Sequence, residues 1–139
     1  MSDLTEQLKR HEGLRLHPYK CTAGKLTVGF GRNLDDKGIT AREAELMLEN
    51  DVLYLFSVLP SKIKFFNHLD KVRADILVNM AFNMGIAGLL KFKKMLSAME
   101  REDWAQAANE MLDSRWAGQV GNRANELHKM MITGEYDET

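Results

Sequence analysis

Strand-like alternation occupies one short stretch of this chain, and helical spacing of apolar residues dominates everything after it. Leu26, Val28 and Phe30 alternate with glycine or threonine, which predicts a half-buried strand. From residue 60 onward strand signals vanish. The pairs that show helical spacing there are Ile76 and Met80, Met95 and Met99, Ala107 and Met111, and Leu127 and Met131. The chain is therefore predicted to be α+β, with a small N-terminal sheet and a helical second half.

Local signals also set the limits of the first helix. Asp3 and Glu6 form a capping pair and Gly13 is typical of a helix end, so a helix is predicted over residues 4–12. Glu12 continues the spacing of the helix's leucines, and its carboxylate is expected to point inward. A turn is expected at residues 22–24, just before the strand.

A longer helix follows the strand region. Thr40 and Glu43 form a capping box, and apolar residues then recur at helical spacing until Pro60, which is expected to stop the helix at residue 59. We expect a single domain over residues 1–139 with two lobes. These are an N-terminal lobe with a short β-hairpin sheet (about 1–38), a connecting helix (about 40–59) and a larger all-helical C-terminal lobe (about 60–139), with a cleft where the lobes meet.

Composition excludes several classes of protein. A single cysteine cannot form an internal disulfide, and four scattered histidines show no metal-ligand spacing, so neither a metal nor another cofactor is expected. No stretch approaches the roughly 20 apolar residues of a membrane span, and residues 1–14 lack the apolar core of a signal peptide. A cytoplasmic, monomeric protein without stable membrane insertion is predicted. The nine methionines, with Trp104 and Trp116, are expected to fill the core.

Charge is unevenly distributed along the chain. The net charge is −1, which argues against general nucleic-acid binding, yet residues 9–32 contain six cations and one anion. This basic segment is either a solvated surface or a surface that attracts an anionic substrate. The KFKK run at residues 91–94 is expected to be a solvated helix face.

The basic segment contains the pattern HEGLRLHPYKCTAGKLTVGFGR, residues 11–32. Glu12, Cys21 and Thr27 lie on a helix end, a turn and a strand that can converge on one cleft. Their spacing resembles the catalytic segment of phage-type lysozymes, glycoside hydrolase family 24, in which Glu, eight residues, Asp or Cys, five residues and Thr follow one another. The segments ILVNMAFNMG (76–85) and SRW followed by GNRA (114–124) extend the resemblance over nearly the whole chain. The main departure is a shortened stretch between Arg32 and Ile39.

The resemblance implies a two-lobed lysozyme-like fold. It also implies an endolysin that hydrolyses the β-1,4 bond between N-acetylmuramic acid and N-acetylglucosamine in bacterial peptidoglycan and thereby lyses the host. Glu12 would be the general acid, Thr27 would position the attacking water, and Arg123 would pair with the acid. The residues implied to bind substrate are Arg32, Phe82 and Asn83. Release from the host cytoplasm to the cell wall would depend on a holin.

The role of Cys21 stays open at this point. A thiolate could act as base or nucleophile, whereas a thiol could only help to position water. Two rival functions also remain. One is a lysozyme-fold peptidoglycan-binding protein without catalysis, and the other is a small helical nucleic-acid-binding protein that uses the KFKK run and Arg115.

Overall fold

The computed structural model describes residues 2–136, which divide into two compact units. The first unit covers Met1–Met47 and the second covers Leu48–Thr139. The boundary falls inside one continuous helix, α3, at Ala41–Lys62. The α+β class predicted from the two periodicities is confirmed.

The N-terminal unit contains two short helices and a small sheet before α3 begins. Its elements are α1 (Asp3–Glu12), β1 (Arg15–Lys20), β2 (Leu26–Gly29), β3 (Arg32–Asn33) and α2 (Leu34–Lys37). The side chain of Ser2, and not that of Asp3, caps α1 by accepting a hydrogen bond from the Thr5 N–H at 3.1 Å. Gly13, at φ 72°, ends α1 as predicted, since glycine adopts positive φ at little cost.

The described strands form one antiparallel sheet in the order β1-β2-β3. Lys20 lies opposite Leu26, Thr27 lies opposite Asn33, and an irregularity interrupts β1 between Arg15 and Tyr19. The turn predicted at residues 22–24 connects β1 to β2.

The face of β2 that is buried differs from the prediction. Thr27 is only 4% exposed, whereas Leu26 and Phe30 are exposed, so the hydroxyl-bearing face turns inward. Within residues 2–47 the structure shows no buried apolar side chain. Alternation predicts the buried face only where a core lies behind the strand, and this unit has none of its own.

Arg32 joins the start of α3 to the sheet. Its Nη1 and Nη2 donate to Oε1 and Oε2 of Glu43 at 2.8 and 2.7 Å, and Nη1 also donates to the Gly38 carbonyl at 3.2 Å. The predicted capping box is confirmed, because the Glu43 N–H donates to Thr40 Oγ1 at 3.1 Å and the Thr40 N–H donates to Glu43 Oε1 at 2.8 Å. One carboxylate thus caps the helix and holds the arginine.

This arrangement predicts a pH dependence of stability. Hydrogen bonding from Arg32, followed by the Thr40 backbone, lowers the pKa of Glu43 to about 2. A carboxylate with a lowered pKa stabilises the fold above its unfolded-state pKa of about 4.3, and that stabilisation is lost as the pH falls toward 2. The melting temperatures of the parent and Glu43→Gln should therefore converge between pH 5 and pH 2.5. The effect should be modest because solvent screens the partly exposed pair. Parallel melting curves over that range would contradict this role of Glu43.

Helices make up most of the C-terminal unit. After α3 and a 3₁₀ turn at Phe66–His68 come α4 (Lys71–Met84), α5 (Ile86–Leu90), α6 (Lys93–Glu100), α7 (Trp104–Leu112), α8 (Arg115–Val120) and α9 (Asn122–Thr133). The largest fully buried side chains are Leu59, Ile76, Leu77, Met80, Leu89, Met95, Met99, Met111 and Met131. Methionine therefore fills much of this core, as predicted. Trp116 is buried as expected, and Trp104 is partly buried against the same core.

Pro60 does not stop α3, contrary to the prediction. The helix continues to Lys62, and the Ile63 N–H still donates to the Leu59 carbonyl at 2.8 Å. Proline removes its own N–H from the helix and its ring crowds the carbonyl four residues earlier, but the residues that follow it can still donate to earlier carbonyls, and only two of them are helical here. The predicted end at residue 59 was therefore too early.

The three lysines of the KFKK run are exposed as predicted, whereas Phe92 packs against the core, and the run does not lie on one helix. Lys91 and Phe92 separate α5 from α6, and Lys93 and Lys94 begin α6. Among residues 2–136, no helix is both long enough and apolar enough to cross a membrane.

Candidate active site

Glu12 lies at the last position of α1, against the turn between β2 and β3. A Cβ atom placed on Gly31 would come within 2.7 Å of Glu12 Oε2 and 3.1 Å of its Cδ. Real Cβ atoms do not approach an oxygen this closely, so the carboxylate fits only because residue 31 has no side chain. Gly31 also has a φ of 77°, which disfavours other residues. The carboxylate thus occupies the space that the missing side chain of Gly31 leaves beside the turn.

The side chain of Glu12 is exposed in the structure. The expectation that it points inward from the leucine spacing of α1 was wrong, and the reason is visible in the same helix. Leu4 and Leu8, which set that spacing, are themselves exposed, so their face does not line a core within this unit. An exposed carboxylate beside a glycine turn is accessible to a large ligand.

Cys21 lies in the turn between β1 and β2, where backbone groups surround its sulfur. The Cys21 N–H donates to the Lys25 carbonyl at 3.0 Å, and the Gly24 N–H donates to the Cys21 carbonyl at 2.8 Å, which closes the turn. A hydrogen bond from the Lys25 backbone, then one from the Ala23 backbone, lowers the pKa of the Cys21 thiol. Hydrogen-bond donors favour the charged form of an acid, so the turn favours the thiolate.

Thr27 brings a hydroxyl to the same turn. Its Oγ1 donates to the Lys25 carbonyl at 2.8 Å, and a hydrogen bond with the Thr27 side chain also contributes to the lowered pKa of Cys21. The hydroxyl has one proton and two lone pairs, so only one of these two acceptors receives its proton at a time. Cys21 and Thr27 thus lie together beside Lys25, and the convergence of Glu12 with them on one cleft stays a prediction.

Among the residues predicted to bind substrate, Arg32 is largely engaged within its own unit. Its bidentate pair with Glu43 and its bond to Gly38 use both terminal nitrogens. These contacts give Arg32 a structural function, and its role in substrate binding stays a prediction.

Phe82 and Asn83 lie at the C-terminal end of α4. Phe82 is 47% exposed, an unusual position for a phenylalanine, and it lines an apolar cavity of about 600 Å³. Asn83 Oδ1 accepts a hydrogen bond from Trp116 Nε1 at 2.8 Å. The indole of Trp116 therefore orients the Asn83 amide group. The N–H donors of the Asn83 amide point away from this hydrogen bond.

Arg123 lies in the first turn of α9 and lines the same cavity. Its Nη1 is buried and finds no hydrogen-bond partner among the described residues. Buried donors are nearly always paired in proteins, so an unpaired guanidinium nitrogen indicates a position suited to an anionic partner. Within residues 2–136, no group of three or more histidine, cysteine, aspartate or glutamate side chains could hold a metal ion.

Sequence reasoning missed the contact between Glu12 and Gly31. The sequence does contain a signal for it, since glycines at 29 and 31 leave part of the strand end without side chains. The two glycines indicate that a space is present, but they do not identify Glu12 as the residue that fills it. The hydrogen bond between Trp116 and Asn83 was missed too, because it joins residues far apart in the chain.

Several known proteins are similar to this chain in sequence. The chain is 31% identical to probable T4-type lysozyme 1 of Dictyostelium discoideum, over 96% of each protein. It is 31% identical to an endolysin of Acyrthosiphon pisum secondary endosymbiont phage 1, over 79% of this chain and 74% of that protein. It is also 30% identical to the pre-baseplate central spike protein Gp5 of Enterobacteria phage T4, over 96% of this chain but 28% of the spike protein.

The first of these alignments runs over 163 positions, whereas this chain has 139 residues. The slime-mould relative therefore carries residues that have no counterpart in this chain. A family profile described as phage lysozyme matches residues 9–130, which include Glu12, Cys21, Thr27 and Arg123. The chain belongs to the phage lysozyme family.

Proposed function

We propose that this chain is a muramidase of the endolysin type, which hydrolyses the β-1,4 bond between N-acetylmuramic acid and N-acetylglucosamine in peptidoglycan and lyses its bacterial host. Membership of the phage lysozyme family makes it a lysozyme-like glycoside hydrolase. The observation that carries the finer proposal is the Glu12 carboxylate held against Gly31, in the same unit as the contacts between Cys21 and Thr27.

Glycoside cleavage needs an acid that protonates the leaving oxygen and a group that directs water to the sugar. In this proposal Glu12 is the acid. The Thr27 hydroxyl positions the water by accepting a hydrogen bond from it, because the hydroxyl's own hydrogen is donated to the Lys25 carbonyl or to Cys21. Cys21 supplies negative charge close to that water. Phe82, Asn83 and Arg32 are proposed to contact the glycan.

A turbidity assay on permeabilised Gram-negative cells tests the function directly. The proposal predicts clearing by the parent chain. The rival function, a lysozyme-fold protein that binds peptidoglycan without cleaving it, predicts co-sedimentation with purified cell walls but no clearing. Sedimentation without clearing would therefore replace the proposal with its rival.

The contact at Gly31 gives a prediction with a matched control. Gly31→Ala should lower the lytic rate by about tenfold or more, because the added methyl displaces the Glu12 carboxylate and misplacement by about 1 Å is costly. Gly29→Ala imposes a similar backbone strain, at φ 70°, but its Cβ would meet nothing within 4 Å. Both variants should lose similar stability on melting. Equal lytic rates for the two variants would show that the Gly31 contact does not position the acid.

A series at position 21 separates the possible roles of Cys21. Cys21→Asp should retain lysis if the position supplies negative charge, whereas Cys21→Ser should be strongly impaired because serine offers no accessible anion. The lowered thiol pKa adds a second readout, since iodoacetamide should alkylate Cys21 faster at pH 7 than it alkylates an ordinary cysteine. Full lysis by Cys21→Ser would show that the residue only fills space.

We also propose an acid-pairing role for Arg123, supported by its unpaired buried Nη1. Arg123→Ala should then lower lytic activity, and unchanged activity would remove the residue from the site.

Accumulation in the host cytoplasm and release through a holin complete the proposal. Cells that express the chain alone should stay intact until chloroform permeabilises their inner membrane. Lysis without permeabilisation would contradict holin dependence.

A further inference from the structure

The least exposed side of α1 does not carry its leucines. Leu4 and Leu8 are exposed, whereas Thr5 and Lys9, one helical turn apart, are half-buried. The Lys9 side chain is only 33% exposed, a low fraction for a lysine. Glu12 lies three residues after Lys9, and residues three or four apart are neighbours on a helix surface. Thr5, Lys9 and Glu12 therefore share one side of α1.

Two contacts join this side of α1 to the turn between β2 and β3. Lys9 Nζ lies 5.6 Å from the centroid of the Phe30 ring. The Glu12 carboxylate occupies the space beside Gly31, the residue that follows Phe30. Neighbours on one helix side thus contact consecutive residues of one turn, so the two contacts are in register.

The Glu12 carboxylate has no polar anchor of its own in the structure. Among residues 2–136 it forms no hydrogen bond and no ion pair, and no such bond joins an α1 side chain to the sheet. No buried apolar side chain within residues 2–47 holds the helix by packing either. The contact of the Lys9 ammonium with the Phe30 ring is thus the attraction that the structure shows between α1 and the turn.

We propose that Lys9 and Phe30 are positioning residues for Glu12. The Phe30 ring holds Lys9, and this contact keeps the last turn of α1, with the Glu12 carboxylate, against Gly31. The inference rests on the proposed function, in which Glu12 is the general acid. An exposed cation–π contact shifts an equilibrium by roughly two- to fivefold, which sets the size of the expected effects. The alternative is that a sugar of the substrate stacks on Phe30, with no dependence on Lys9.

An NMR titration measures the placement of the carboxylate without any substrate. In the parent, the Gly31 amide signal should shift as Glu12 ionises, because the carboxylate lies against this residue. Lys9→Met and Phe30→Leu should each lower the amplitude of that shift, by up to about half, since the carboxylate then leaves Gly31 part of the time. Phe30→Tyr keeps an aromatic ring and should keep the parent amplitude. Melting curves should confirm that each variant is folded.

Steady-state hydrolysis of soluble peptidoglycan gives a second readout. Lys9→Met and Phe30→Leu should each lower kcat about two- to fivefold at unchanged KM. The double variant should lose no more than either single variant, because both changes remove the same contact. Lys9→Arg should restore the parent kcat, since a guanidinium also binds over aromatic rings.

Arg10→Met is the matched control for Lys9→Met. Arg10 is exposed on the same helix and forms no ion pair with a described residue, so its replacement removes the same charge. This variant should keep the parent kcat and the parent Gly31 response.

Three results would overturn the proposal. An unchanged Gly31 response in Lys9→Met and Phe30→Leu would show that the contact does not place the carboxylate. A higher KM at unchanged kcat in Phe30→Leu would show that the ring binds sugar instead. An equal loss in Arg10→Met would assign the effect to charge alone. No hydrolysis by the parent would refute the proposed muramidase, whereas the Gly31 response would still decide whether Lys9 and Phe30 hold Glu12.

Discussion

Replacing Glu12 with glutamine should abolish lysis while leaving the fold intact. Glutamine has nearly the same shape as glutamate but cannot donate the proton that the leaving oxygen requires, and removal of a general acid costs on the order of a hundredfold or more in rate. The side chain is exposed, so the substitution leaves no buried group without a partner. The measurement is the initial rate of clearing of permeabilised cells, together with a melting curve.

Glu6→Gln is the matched control for this variant. Glu6 lies on the same helix and is exposed, and its contact with Lys9, at 3.7 Å, is too long and too exposed to matter much for stability. Its lytic rate should stay within about twofold of the parent, a change of less than 1 kcal/mol in activation energy. A parent-like rate for Glu12→Gln would show that another residue is the acid.

Arg73→Ala should be strongly destabilising, because this arginine closes the end of α9. Arg73 Nε donates to the Met131 carbonyl at 2.9 Å, and Nη2 donates to the Ile132 carbonyl at 3.1 Å. The guanidinium also stacks on the Trp104 ring, 4.0 Å from its centroid. Its side chain is only 11% exposed, so the Met131 carbonyl would lose a charged donor in a partly buried place.

Together these contacts predict a loss of about 2–4 kcal/mol in the free energy of unfolding. Denaturant unfolding of the parent and of Arg73→Ala measures it. Arg101→Ala is the control, since the Arg101 guanidinium is exposed and its side chain donates, among residues 2–136, only to Ser97 Oγ, at 2.9 Å. It should change stability by less than about 0.5 kcal/mol. Similar losses in the two variants would contradict the role assigned to Arg73.

Features that depend on local sequence were predicted well. The capping box at Thr40 and Glu43, the glycine that ends α1 and the turn before β2 are all present where the sequence indicates them. Each depends on residues within four positions of one another, so neighbouring side chains and backbone dihedrals determine it.

Features that depend on packing were predicted less well. The inward side of β2 carries Thr27 and not the leucine, because the first unit buries no apolar side chain among residues 2–47. The contact between Glu12 and Gly31 and the carbonyls held by Arg73 each join residues from separate elements. Periodicity describes one element at a time, so it could not predict which elements meet.

The proposed function depends on the identity of the bond that this chain cleaves. The most direct test is mass spectrometry of borohydride-reduced fragments released from purified peptidoglycan, with Glu12→Gln as the blank. A muramidase leaves N-acetylmuramic acid at the reducing end, so we expect fragments that end in reduced muramic acid. Fragments that end in reduced glucosamine or in anhydro-muramic acid, or no release above the blank, would contradict it.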